Sequence, residues 1–268
     1  MALPPPAPDS TALVTGASSG IGTELARGLA RRGHGVVLVA RREEALERLA
    51  SELREAHGVR AESIACDLTD PAARDRLAAR VDELGLTVEI LVNNAGFGTY
   101  VPFHTSPRER EVDMVRTNVE AVVDLTGRYL PAMVERRRGA ILCTASTASY
   151  QPLPRNATYS ASKAFVLSLV QSLHEEVKEH GVTVTALCPG PVRTPFQEAS
   201  GVEQDVVPDW FWSAADDVAE AGLVGLDKGR REVVPGAFNK VGAVASQVTP
   251  NAVLVPLLGH ATRRVLGH

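Results

Sequence analysis

Val14-Thr15-Gly16-Ala17-Ser18-Ser19-Gly20-Ile21-Gly22 (residues 14–22) separates an apolar run, Thr11 to Thr15, from a helical pattern, Gly20 to Arg32. Each glycine answers a steric need. Gly16 admits a sharp turn, Gly20 lets the backbone approach a pyrophosphate, and Gly22 lets the helix pack tightly on the sheet. The helix N-terminus then faces the negative charge, with Ser18, Ser19 and Ile21 completing the turn. The spacing is G-x3-G-x-G rather than the commoner G-x-G-x-x-G. A glycine turn alone could be purely structural; a strand before it and a helix after it point to a nucleotide.

Short apolar runs alternate with amphipathic stretches along the rest of the chain. Val36 to Ala40 reads as a strand and Glu43 to His57 as a charged helix. Ile64 to Cys66 ends a third strand, and Pro71 to Leu84 fits a helix with Pro at its start. Ile90 to Val92, Ala140 to Cys143 and Val182 to Leu187 read as further strands. One long helix is expected from about Val112 to Arg136, and another carries Tyr159 and Lys163 until Gly181 ends it. This alternation predicts an α/β fold, a doubly wound parallel sheet with helices on both faces. We expect one domain over 11–268 after a flexible arm over 1–10, with a substrate lid over 194–217 and a C-terminal helical extension over 237–268. Ser213 is expected to cap a helix, with Asp216 three residues on.

The 268 residues are 44% hydrophobic and 22% charged, an ordinary globular balance. A net charge of −4 and a pI near 6.0 give no support for nucleic-acid binding. Cys66, Cys143 and Cys188 show neither metal spacing nor a disulfide framework and read as buried hydrophobes in a reducing cytoplasm. No basic region followed by an apolar core opens the chain. No stretch reaches the ~18 apolar residues of a spanning helix. Ala252 to Leu258 is too short, and it reads as packing against the core or, less readily, as a peripheral membrane contact. Seven histidines are scattered, and His34, His57, His104, His174 and His180 read as surface. No metal is expected.

The second strand ends Val39-Ala40-Arg41-Arg42. An NAD-preferring site usually has an acid there for the ribose hydroxyls. Its absence, and guanidiniums suited to an extra phosphate, predict NADP, with Arg41 as first choice and Arg42 as second. The alternative is that both arginines open a solvated helix. Asp67, before Leu68, either accepts from the adenine amino group or caps the helix after Pro71. Asn93 holds backbone, while Asn94, Ala95 and Gly96 approach the cofactor at the strand crest.

Tyr159 and Lys163 stand four apart, hence on one helix face. A phenol loses its proton near pH 10, and a neighbouring ammonium favours the phenolate. The spacing therefore predicts an acidified phenol able to pass protons in carbonyl–alcohol chemistry. Singly, Asn118 reads as a polar or kink residue, Ser146 as the start of a turn and Tyr159 as a half-buried aromatic.

Together these segments resemble the short-chain dehydrogenase/reductase family. The glycine turn, Asn93-Asn94-Ala95-Gly96, Asn118, Ser146, Tyr159-x3-Lys163 and Pro189-Gly190 occur in order between about Thr11 and Thr194. The tail, notably Val233-Val234-Pro235-Gly236 and Ala243-Val244-Ala245-Ser246-Gln247, is more loosely similar to actinobacterial reductases of mycolate-type 3-oxo lipids. The resemblance implies a Rossmann-like fold. It implies that Tyr159 donates the proton, that Lys163 lowers the Tyr159 pKa and bonds the nicotinamide ribose, and that Ser146 bonds the carbonyl oxygen. It implies that Asn118 fixes a water linking Lys163 to solvent. Pro189, Gly190, Val192 and Thr194 would border the nicotinamide. Thr147 is a second hydroxyl beside Ser146, and Ser18 stands where some relatives carry a basic residue. A homodimer or homotetramer is the usual state.

Phe196, Trp210, Phe211 and Trp212 either line an apolar pocket or anchor the last helices. The first option favours a lipophilic ketone, led by a 3-oxo acyl lipid and followed by a steroid. A non-catalytic NADP-binding sensor is the competing reading, countered by the full set Asn118, Ser146, Tyr159 and Lys163. An epimerase or dehydratase would need a larger substrate domain.

Overall fold

The computed structural model describes residues 3–196, 200 and 212–266, without the side chains of 261 and 263–266. Seven strands form one parallel sheet: β1 Ser10–Thr15, β2 Gly35–Ala40, β3 Ala61–Ala65, β4 Thr87–Asn93, β5 Gly139–Thr144, β6 Val182–Leu187 and β7 Glu232–Val233. Their order is β3-β2-β1-β4-β5-β6-β7. Helices α1 Gly20–Arg31, α2 Glu43–His57, α3 Pro71–Glu83, α4 Arg108–Val115, α5 Ala121–Glu135 and α6 Ala157–Val177 intervene, followed by α7 Ala215–Asp227, α8 Ala237–Val248 and α9 Asn251–Leu266.

The strands are mostly apolar because both sheet faces are covered. Alternate residues feed two cores. Leu13, Val37, Leu91 and Ile141 join one, beside Leu77 of α3, Leu125 of α5 and Val170 of α6. Val14, Leu38, Ile90 and Leu142 join the other, beside Leu25 of α1, Leu46 of α2 and Leu223 of α7. The chain order reverses between β1 and β4, so the helices following them leave a crevice at the strand C-termini, where doubly wound sheets bind ligands.

Several local expectations are corrected. The helix expected from about Val112 to Arg136 is α4, a five-residue π-turn over Arg116–Glu120, and α5. Ala214, not Ser213, precedes the first turn of α7; Ser213 bridges Val192 instead. His34 is buried at 5% exposure, and burial lowers its pKa, helped by Arg32. Asp70 caps α3 by accepting from the Ala72 N–H, which leaves Asp67 to accept from the Thr69 N–H and hydroxyl. The three cysteines are free and buried, as expected. The N-terminal segment packs on the molecule from residue 3, where the Leu3 N–H donates to Asp227 and the side chain meets the second core.

Two glycines give opposite stability predictions. A Cβ on Gly22 would stand 2.2 Å from the Gly16 carbonyl oxygen. Gly22→Ala should therefore cost about 1–3 kcal/mol. Gly127, inside α5, has nothing within 4 Å, so Gly127→Ala should gain up to ~1 kcal/mol through helix propensity. Urea unfolding of both variants checks the pair, and equal shifts would contradict it.

Candidate active site

The crevice is built around one hydroxyl. Thr15 Oγ1 donates to the Val92 carbonyl and accepts from the Asn94 and Ala95 N–H groups. Asn94 Nδ2 donates to the Thr15 carbonyl, and its Oδ1 accepts from Thr144 Oγ1 at 3.2 Å. The ends of β1, β4 and β5 are thereby stitched together. The Asn93 side chain, expected to hold backbone, instead donates to the Thr126 hydroxyl at 3.0 Å in the interior.

Gly16 and Gly20 both have positive φ, +67° and +58°, in the left-handed region that disfavours a side chain. A Cβ on Gly16 would lie 2.9 Å from the Ala95 Cα, and one on Gly20 would lie 2.9 Å from the Thr194 side chain. The turn is thus held between the 94–96 crest and the loop after β6. Ser19 precedes α1 without a side-chain capping bond, so the first-turn N–H groups keep their affinity for an anion. At the end of β2, the Arg42 guanidinium donates to the Ser18 carbonyl at 3.1 Å and to its hydroxyl. Arg41 instead acts on Asp67: the carboxyl, partly buried, is held below its usual range by the Thr69 N–H and hydroxyl and by this guanidinium.

The π-turn brings Asn118 inward, a local geometry common at functional positions. Its Oδ1 accepts from the Phe97 N–H at 3.2 Å, and its Nδ2 donates to the Phe97 carbonyl and to Ser162 Oγ, each at 3.0 Å. The amide thus clamps the segment after β4 onto α6. Lys163 Nζ donates to the Thr144 carbonyl at 2.7 Å and lies 5.8 Å from the Tyr159 ring centroid. Gly96 sits between them: a Cβ there would be 2.9 Å from Asn118 Oδ1 and 3.3 Å from Lys163 Nζ. Ser146 caps a short 3-10 turn, Thr147–Tyr150, and accepts from the Ala148 N–H. It is therefore both a turn residue and a neighbour of Tyr159, whose phenol its hydroxyl influences. In the next loop the Pro189 carbonyl accepts from the Thr147 N–H at 2.9 Å, and the Arg193 N–H donates to Ser213. Gly190 packs under Asn239 of α8.

The electrostatics correct one expectation. Burial raises the Tyr159 pKa, the Tyr100 phenol adds to the rise, and the Ser146 hydroxyl pulls the other way. Lys163 does not acidify the phenol here. Burial disfavours its own charge and lowers its pKa to about 8. The spacing was read correctly as one face, but both groups are dry and the ammonium is turned to Thr144.

Phe97, Met114, Ala148, Leu153 and Phe196 surround Tyr159. The Phe196 and Tyr159 ring centroids are 5.7 Å apart, and a Cβ on Gly98 would press on both rings at 3.2–3.3 Å. Of the expected aromatic lining, Phe196 is in place, while Trp210 and Phe211 lie outside the described residues. Phe97, Gly98, Met114 and Leu153 were not anticipated; for Phe97 and Gly98 the available signal was continuation past the Asn93–Gly96 crest. Glu111 was also missed. Burial works against its carboxylate, but the hydroxyls of Ser106, Thr158 and Thr99 hold its pKa below the usual range. Among the described residues no cluster could hold a metal ion.

A family model described as short chain dehydrogenase matches residues 10–205. A very-long-chain 3-oxoacyl-CoA reductase of Anas platyrhynchos is 34% identical over 260 residues, covering 95% of this chain and 80% of that protein. A putative ketoacyl reductase of Streptomyces coelicolor is 38% identical, covering 91% and 94%. Among solved structures, a short-chain dehydrogenase from Sphingobium yanoikuyae in complex with NADPH superposes with TM-score 0.80 at 34% identity, over 88% of this chain and 92% of that one. The chain belongs to the short-chain dehydrogenase family and is an NAD(P)-dependent oxidoreductase by that membership.

The lowered Lys163 pKa predicts a pH signature. Below about 8 both folded and unfolded chains hold the proton; between about 8 and the ordinary 10.5 only the unfolded chain does. The folded state therefore gains stability as pH rises through that window. The stability of the parent relative to Lys163→Met should increase from pH 8 to 10.5 in urea titrations. A difference flat in pH would contradict the buried ammonium.

Proposed function

We propose that this protein interconverts a ketone and a secondary alcohol with NADP(H), acting on a lipophilic 3-oxo acyl substrate. The observation that carries the reading is the convergence of Ser146, Tyr159 and Lys163 beside the glycine turn. The residues at the crevice fit a dinucleotide. Gly16 and Gly20 turn the backbone through positive φ at the crest, the N-terminus of α1 has no side-chain cap, and no acid ends β2. The 16–21 turn, Asp67, Leu68, the 94–96 crest and the 189–194 loop would hold it, with Lys163 on the nicotinamide ribose. Bound there, the cofactor supplies the hydride.

The chain's own residues prepare the carbonyl. Tyr159 Oη keeps its proton at neutral pH because burial holds its pKa up, so it is a donor ready for the carbonyl oxygen. Ser146 Oγ would bond the same oxygen and stabilise its growing charge. Lys163, with a pKa near 8, holds its proton at neutral pH less firmly than an ordinary lysine, which suits the return of a proton to Tyr159. The hydrocarbon around Tyr159 excludes water and favours an apolar chain beside the reacting carbon. A 3-oxo acyl group heads the candidates because relatives over most of the chain are named for 3-oxoacyl-CoA and ketoacyl reduction. Val115 of α4, Val123 of α5 and Phe165 of α6 are exposed, which supports homo-oligomer contact through these helices.

Tyr159→Phe should lower kcat by roughly a thousandfold while dinucleotide binding persists. Ketone-dependent NADPH oxidation and fluorescence titration check the two halves; full turnover by the variant would end the Tyr159 mechanism. NADPH should bind at least ~tenfold tighter than NADH, about 1.4 kcal/mol. Arg41→Ala should erase most of that gap. Arg42→Ala should do less, since Arg42 already spends donors on Ser18. An unchanged ratio in both variants would show that the phosphate is read elsewhere.

A further inference from the structure

Helices α8 and α9 present their apolar side outward. Val241, Val244 and Val248 lie within about one sixth of a turn of one another at 100° per residue. Ala243, on the opposite side, is the buried residue of this helix. Val253 and Leu257, one turn apart on α9, continue the outward surface, and the five side chains are between 53% and 75% exposed. The segment Ala252 to Leu258 therefore does not simply pack on the core: Val253 and Leu257 face solvent. Soluble surfaces rarely gather such residues without a partner.

Charge says which partner. All 32 acidic residues of the chain precede position 233, whereas Lys240, Arg263 and Arg264 follow it. In a chain of net charge −4, this end carries basic side chains and no acidic one. Two copies meeting through α8 and α9 would bring together two segments without acidic side chains, leaving their basic residues unpaired. An anionic lipid surface satisfies both features: valines and leucine enter the acyl boundary while Lys240, in a segment with no acidic side chain, meets headgroups.

We propose that α8 and α9 dock the protein onto anionic bilayers as an interfacial helix pair. The pair touches the candidate site. Ser246 of α8 donates to Gln151, just past the 3-10 turn capped by Ser146, Asn239 packs on Gly190, and Gly259 of α9 packs on Pro154. Docking sets the pocket mouth beside the membrane, from which a long-chain ketone reaches Tyr159 without crossing water. This last clause rests on the reading of the substrate above; docking itself does not.

The test is co-sedimentation of the full chain with vesicles of phosphatidylcholine, alone or with about one third phosphatidylglycerol. The parent should partition onto the anionic vesicles and release in high salt. The variant Val241→Ser/Val244→Ser/Val248→Ser should partition at least ~tenfold less, and Lys240→Glu should weaken binding to anionic vesicles only. Both should reduce a short water-soluble 3-oxo ester like the parent, which separates docking from chemistry. The proposal falls if the parent stays in the supernatant, or if the triple variant binds as well. It falls also if light scattering shows that the parent is an oligomer which the triple variant dissociates, with no lipid binding: the face would then pair two copies.

Discussion

The buried Thr15 hydroxyl is the joint on which the site depends. It spends one proton and two lone pairs on three backbone groups of the β4 end. A parallel sheet has no hydrogen bonds to offer beyond its last residues, so strand ends diverge unless side chains hold them. Here β1 and β4 stay together one residue past the ladder. That closeness puts Ala95 against Gly16 and leaves room for backbone only. The glycine turn is therefore a consequence of a crest already closed, and a serine or alanine at position 16 would have to open it.

The same closeness dries the centre. Lys163 and Tyr159 are buried on neighbouring turns of α6. Desolvation pushes the ammonium and the phenol toward their neutral forms, by lowering one pKa and raising the other. The pair spans a range in which one group begins to release its proton just above neutral pH and the other retains it. Simple attraction between charges, the reason for pairing the two residues on sequence grounds, gives the right partners but the wrong sign for the phenol. Burial could not be read from a four-residue spacing.

What the sequence disclosed follows from periodicity. Strands buried on both faces write themselves as continuous apolar runs, and a Gly-punctuated helix start is steric, so the sheet, its helices and the turn at 14–22 were legible. The misses have a different origin. β7 is two residues long, too short for any period. The π-turn at Asn118 depends on Phe97 and Ser162 drawing the amide inward, contacts made by segments far away in the chain. Ala214 replaces Ser213 before α7 because Ser213 is already committed to Pro191 and Arg193. His34 looks exposed in a basic, glycine-flanked loop, but its ring is buried within reach of Arg32 and Glu89, the latter far off in the chain.

The pocket wall is where local and distant reasoning meet. Phe97 and Gly98 directly follow the crest, yet what fixes them is Asn118 on one side and Glu111 on the other. Glu111 accepts from Thr99 and Ser106, two hydroxyls that bracket the segment like hinges on a shutter. A buried carboxylate satisfied in this way is costly to disrupt, because losing either hydroxyl leaves an acceptor with no water to replace it. The 97–106 wall beside Tyr159 is therefore stiff. Phe97 and Gly98 are thereby held against the Tyr159 ring.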